Sequence, residues 1–430
     1  MPGTGAPLDH GGDAVELRRV IVARKPPRQE NQAFGANMGR FLVLDSWRGI
    51  AACLVALFHL DAYSHLYGVP FLRNSWLFVD FFFVLSGFVI AANYQQRLRD
   101  GFGVGRFLFL RLGRLYPLHF AMLALFVGCE LLRAVGKMLI QGPAATNPAA
   151  LFSTPQHAPD TILANLLLIQ SLHLYDFLTW NLPSWSISTE FYTYVVFALC
   201  LIGLRKHAWV ALVFAMIGGP VLIAMLSERY MNIHYDWGII RCIYGFAAGA
   251  LSWNIYEKWN EKLRKWLSGS MVEWGSLGLV VVFVTIGGTT HLSIAAPYVF
   301  ALVVLVFAFE AGTASAILKL RPLVFLGTIS YSIYMTHVFV GERLFNAGSV
   351  LAKLWHVDLF THREIDGQDF YFLGTQLWHG DVAYAVYLAM IIAMSYFTFH
   401  WIEKPAREWV RNRVRSRQQQ TATSRSIVGA

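Results

Sequence analysis

Charge is scarce in this chain. Asp, Glu, Lys and Arg make up 14% of its 430 residues, against roughly 25% in an ordinary soluble domain, which excludes a solvated surface over most of the molecule. Cysteine is scarcer still: Cys53, Cys129, Cys200 and Cys242 all fall inside apolar runs. No Cys pair or Cys/His cluster has ligand spacing, so neither a disulfide framework nor a metal site is expected. The first 40 residues lack the apolar core of a cleavable signal and read as a disordered cytoplasmic leader rich in Gly, Pro and Arg. No internal repeat stands out, which disfavours an inverted-repeat transporter.

What the chain has instead is apolar length. Hydrophobic residues reach 56% and the mean hydropathy is +0.46. They gather into blocks of about 17 to 23 residues, the length of a membrane helix. The expected fold is all-α: a polytopic integral membrane bundle of about ten transmembrane helices, near 41–63, 75–94, 115–136, 185–204, 208–226, 239–256, 272–288, 293–310, 323–345 and 381–402. The apolar piece Thr161 to Leu172 is too short to span and reads as re-entrant or interfacial. The membrane domain is expected over 41–410, followed by a disordered basic tail, 411–430.

The net charge of +9 is distributed as a topology signal. Arg97, Arg99, Arg106, Arg111 and Arg114 precede the third block, and the tail is basic, whereas the loop 346–380 carries Asp358, Glu364, Asp366 and Asp369 against Lys353 and Arg363. With ten crossings the basic segments share one side, which places both termini in the cytoplasm. Nucleic-acid binding is excluded because the basic residues are split among loops; the partner they fit is the bilayer.

Ionisable residues inside a span are costly and mark functional sites. Arg48 and His59 stand eleven residues apart in the first block, close to three turns, so they share one stripe about 16 Å apart along the axis. Asp45 lies near the same stripe and can pair with Arg48. Asp80 falls toward the outer end of the second block, where it could partner a histidine, and Ser86-Gly87 would admit a close helix or ligand. Arg111 and Arg114, three apart before Leu115-Tyr116-Pro117, could form a phosphate clamp with Arg48. Glu190 and His337 fall in outer halves, at depths comparable to His59. A histidine and a carboxylate there could serve as general base and orienting acid. The layout is polarised, with arginines at the inner mouth and a histidine and acids beyond.

These motifs resemble the acyltransferase family 3 membrane proteins. The match runs through Leu44-Asp45-Ser46-Trp47-Arg48-Gly49-Ile50-Ala51 with His59, the phenylalanine run into Ser86-Gly87-Phe88, and Arg111-x-x-Arg114-x-Tyr116-Pro117. It continues through Ser184-Trp185-Ser186-Ile187-Ser188-Thr189-Glu190, Ser330-Tyr331-Ser332-Ile333-Tyr334 with His337, and Glu403-Lys404-Pro405. The resemblance covers about 41–410. It implies O-acylation, usually O-acetylation, of a cell-surface carbohydrate or lipid-linked glycan by cytosolic acetyl-CoA or another acyl-CoA, in a bacterial inner membrane. His59, Glu190 and Asp80 become the catalytic candidates. Arg48, Arg111, Arg114, Ser86 and Gly87 are assigned to the donor, and Trp185, His337 and Tyr334 to the acceptor. Transfer is expected to be completed by the membrane part or by a separate partner. The rival reading is a proton-coupled carrier or glycan flippase with His59 and Glu190 as its relay.

Overall fold

The computed structural model describes residues 41–141, 152, 154–288, 290–365 and 367–428; the leader 1–40 lies outside them. Helices dominate. α1 (Leu42–Phe58) is followed by a loop and short turns, then by α2 (Phe78–Ile90) and α3 (Val104–Gln141). The helices α4 (Pro159–Leu166), α5 (Ser184–Leu204), α6 (Ala208–Leu226), α7 (Gly238–Leu267), α8 (Ser270–Gly287) and α9 (Ala296–Phe307) follow. Then come α10 (Arg321–Thr328), α11 (Ser330–Trp355), strands β1 (Phe360–Ile365) and β2 (Gln368–Leu373), α12 (Leu377–Thr398) and α13 (Lys404–Val428). α13 runs on through the basic segment after Arg411 as far as Val428.

The number of crossings is corrected. Among the described residues, five helical stretches are long and apolar enough to cross a membrane: Ser75–Arg99, Val104–Ile140, Ser184–Leu226, Ser270–Gly287 and Leu377–Ser416. A sixth is added if α10 and α11, bent by 70° at their junction, count as one span. The expectation of about ten fails for physical reasons. The first block yields a helix of 17 residues, about 25 Å long against a hydrocarbon core of about 30 Å. α9 has only 12 residues, and α7 carries Arg241 in its apolar part and a charged C-terminal half. The blocks 185–204 and 208–226 fall within one candidate stretch, interrupted at Arg205, whose φ is 46°. The Thr161–Leu172 piece takes in all but the first two residues of the eight-residue α4, after which the chain turns at Leu168, φ 57°.

α2 occupies the centre of the bundle, with its phenylalanines 78, 81, 83 and 88 wholly or almost wholly buried. Its neighbour α7 approaches backbone to backbone. A Cβ on Gly87 would lie 2.0 Å from the Phe246 carbonyl oxygen, and one on Gly249 1.8 Å from that of Val84. Small residues permit such crossings, where van der Waals contact replaces the hydrophobic drive absent in lipid.

The strands form an antiparallel hairpin with Phe360 opposite Leu373 and His362 opposite Tyr371. It is tied to the segment just after α1: the Tyr63 amide donates to the Leu373 carbonyl at 2.9 Å, and the Leu373 amide to that of Asp61 at 3.1 Å.

Candidate active site

α1 ends at Phe58, and His59 is its C-terminal capping residue. The imidazole Nδ1 lies 2.8 Å from the Val55 carbonyl oxygen. A carbonyl only accepts, so Nδ1 carries the proton and Nε2 is left with its lone pair. His59 lines a cavity of about 290 Å³ together with Arg73, Asn74, Trp76, Trp185, Asn232, His234, Arg241 and Tyr334. The His337 ring packs against it, with centroids 4.8 Å apart. His337 is wholly buried and neither of its nitrogens meets a side-chain partner; it stands behind His59 rather than in the cavity wall.

A second chamber, of about 80 Å³, is lined by Arg48, Ser86, Arg114, Ser186, Glu190, Tyr194, Ser330 and Tyr334 among others. Arg48 is held there by Ser330 Oγ, which its Nε meets at 2.7 Å, by the Gly327 carbonyl at 3.0 Å and by Asp45 at 3.1 Å. The Tyr194 hydroxyl donates to Glu190 Oε1 at 2.5 Å and lies 2.9 Å from Ser86 Oγ. The two chambers share Val79 and Tyr334 as lining residues.

The structure thus gathers Arg48, Arg114, Ser86 and Glu190 in one chamber and His59 and Trp185 in the other, with Tyr334 in both. The structure gives three of the expected site residues the following surroundings. Glu190 keeps company with the arginines instead of His59, because the chain before α5 is folded into the bundle: Trp180, Asn181, Ser184 and Trp185 are buried, so the helix start is no surface marker. Arg111 does not line that chamber; its Nη2 donates to the Tyr94 hydroxyl at 3.0 Å and its guanidinium lies 4.8 Å from the Tyr94 ring centroid. Gly87 faces α7, the close helix that the Ser86-Gly87 pair can admit.

Asp80 partners an arginine and not a histidine. Arg241 Nε and Nη2 donate to its two carboxylate oxygens at 2.8 Å each, and both side chains are fully buried. The Arg241 Nη1 donates to the Ile233 carbonyl at 3.1 Å. The guanidinium lies 5.2 Å from the ring centroids of both Trp76 and Trp185, a cation–π arrangement strengthened by burial. Asp80 does not line the His59 cavity, whereas its partner Arg241 does.

Several cavity residues lie outside the sequence reading, Arg241 and His234 among them. Arg241 was visible as an arginine in an apolar block, the very signal used for Arg48. His234 lies in the loop before α7, outside any motif; its ring meets that of Trp185 edge-on at 4.9 Å. Burial, then the nearby positive charge of Arg241, push its imidazole down from the ordinary histidine value to about 3. Among the described residues, no group of three or more His, Cys, Asp or Glu side chains is placed to hold a metal ion.

The arrangement can hold an anionic group beside a base, and known proteins give it a context. A family model described as an acyltransferase domain matches residues 41–356. A Rhizobium radiobacter protein, "Protein 2 in picA locus", is 44% identical over 87 residues, which are 20% of this chain. The chain spans only 44% of that relative's length. No solved structure matches. With most of its length covered by the domain model, this membrane chain belongs to acyltransferase family 3.

Proposed function

We propose that the protein is a transmembrane O-acyltransferase, carrying an acyl group, acetyl first among them, from cytosolic acyl-CoA to a hydroxyl of a cell-surface or exported carbohydrate, free or lipid-linked. Its setting is the bacterial inner membrane. The observation that carries this reading is the shared wall of the two chambers: an arginine-lined space meets a histidine-lined one at Val79 and Tyr334.

Arg48 and Arg114 fit the phosphates of the donor, since a guanidinium binds phosphate oxygens bidentately. Glu190, bonded to Tyr194, balances their charge. The apolar lining of the same chamber, with Phe82, Leu85 and Val89, suits the pantetheine arm, whose thioester then reaches the Tyr334 boundary. The acceptor enters from the other side. His59 Nε2 takes the proton of its hydroxyl, the oxygen attacks the thioester carbonyl, the C–S bond breaks, and the imidazolium returns the proton to the leaving thiolate. Attack by Nε2 itself, giving an acyl-histidine that the hydroxyl then cleaves, uses the same geometry. Trp185 offers the acceptor a flat aromatic wall.

The test uses membranes containing the full chain and acetyl-CoA labelled in the acetyl group. Label is expected in the surface glycan fraction, and His59→Ala is expected to lower its rate at least about 100-fold. Near-normal labelling by His59→Ala would falsify the mechanism. A carrier would neither bind nor consume acetyl-CoA.

A further inference from the structure

Acyl transfer from a thioester places negative charge on the carbonyl oxygen, and an enzyme gains most by aiming a hydrogen-bond donor at that spot. The position of the carbonyl is constrained here. It must be reachable from the arginine chamber and open to a hydroxyl activated by His59, so it belongs where the two chambers meet. The shared lining residues are Val79 and Tyr334, and of their side chains only Tyr334 carries a donor.

We propose that the Tyr334 hydroxyl is the oxyanion donor of the reaction, held in place by Ser186. The inference rests on the acyl-transfer reading above and names a catalytic role for one residue within it. Ser186 Oγ lies 2.9 Å from the Tyr334 oxygen and donates to it. That leaves the phenolic hydrogen unspoken for and polarises it, because hydrogen bonds in a chain reinforce one another. When Ser186 instead turns its hydrogen to the Pro183 carbonyl, 3.0 Å away, its oxygen can accept from Tyr334 and park the hydroxyl between turnovers. The ring itself is fixed: Phe82 meets it edge-on at 5.5 Å and His337 lies at 5.8 Å. His337 in turn backs His59, so base and donor are braced by one side chain. Arg241 is a poor substitute. Three of its N–H groups are engaged by Asp80 and Ile233, and it does not line the arginine chamber.

In the step, the acceptor oxygen bonds to the carbonyl carbon while its proton passes to His59 Nε2. The carbonyl π pair moves onto oxygen, which accepts a hydrogen bond from Tyr334 without taking its proton. The pair returns as the C–S bond breaks, and the thiolate recovers the proton from His59.

Tyr334→Phe removes one oxygen and keeps the ring. Turnover (kcat) is expected to fall roughly 100- to 1,000-fold, the usual loss of one oxyanion donor, while acetyl-CoA binding to the same membranes changes less than about twofold, since the contact forms only in the transition state. Ser186→Ala is expected to give a smaller loss of kcat, again with binding intact. A Tyr334→Phe enzyme with kcat near wild type overturns the proposal, as does a loss matched by equally weakened binding. His59→Ala, assayed in parallel, separates the two claims. An inactive His59→Ala beside a fully active Tyr334→Phe removes the oxyanion role alone, whereas an active His59→Ala removes the underlying reading.

Discussion

Asp80 and Arg241 form a two-pronged ion pair, 2.8 Å at each prong, with no exposure of either side chain. Breaking such a pair strands an uncompensated charge in a dry interior, which costs about 3–5 kcal/mol. Asp80→Ala is therefore expected to lose most of its thermal stability in detergent. Asp80→Ala combined with Arg241→Met should recover much of that loss, because no charge is then left unpaired. A single variant as stable as the wild type would show that Arg241 finds another counter-charge.

The arginines are predicted to separate functionally. Arg48 and Arg114 line one chamber, whereas Arg111 rests on Tyr94. Hydrogen bonds to a charged group contribute about 1.5–3 kcal/mol, so Arg48→Ala or Arg114→Ala should raise the acyl-CoA KM roughly 10- to 100-fold. Arg111→Ala should raise it by only a few-fold. Initial rates over a range of acyl-CoA concentrations distinguish these outcomes, and an equal effect at all three positions contradicts the assignment.

His234 makes a prediction about pH. Its imidazole is held down at about 3 in the folded protein, against about 6.5 in the unfolded chain. The unfolded state binds a proton over that interval and the folded state does not, so stability rises with pH. The contribution is fully present above pH 6.5 and is lost as pH falls toward 3. His234→Phe should flatten the decline of melting temperature between pH 6.5 and 4. It should leave any neutral inflection of the rate profile in place, because His234 stays uncharged there. Loss of that inflection would make His234 the titrating base.

The α2–α7 crossing predicts assembly defects from small changes. Gly87→Val and Gly249→Val each put a side chain where the partner backbone already lies, within 2.0 Å and 1.8 Å of a carbonyl oxygen. Both variants should insert in the membrane yet fail to yield a monodisperse peak on size-exclusion chromatography. Gly128→Val, whose Cβ meets nothing within 4 Å, is the control and should behave as wild type.

Part of the candidate site is legible in the sequence because its motifs are local. Arg48, Ser86, Arg114 and Glu190 each sit in a recognisable run, and the fold delivers all four to one chamber. What could not be read is relational. Whether Asp80 faces a histidine or an arginine depends on α7, some 160 residues away in sequence. The depth of Glu190 depends on a buried approach segment, and hydropathy treats every apolar block alike. It therefore made a crossing of the 17-residue α1 and of the 12-residue α9. The arginine at 241 stands in an apolar block, but no motif frames it.

The hydrogen bond between His59 and Val55 has one more consequence. The Val55 carbonyl belongs to the last turn of α1, where the helix offers no amide of its own to satisfy it. The imidazole fills that vacancy, closing the helix with the same N–H that fixes which nitrogen stays basic. Terminating α1 and choosing the reactive tautomer are thus one event, so a substitution that frays the end of this helix also unsets the base.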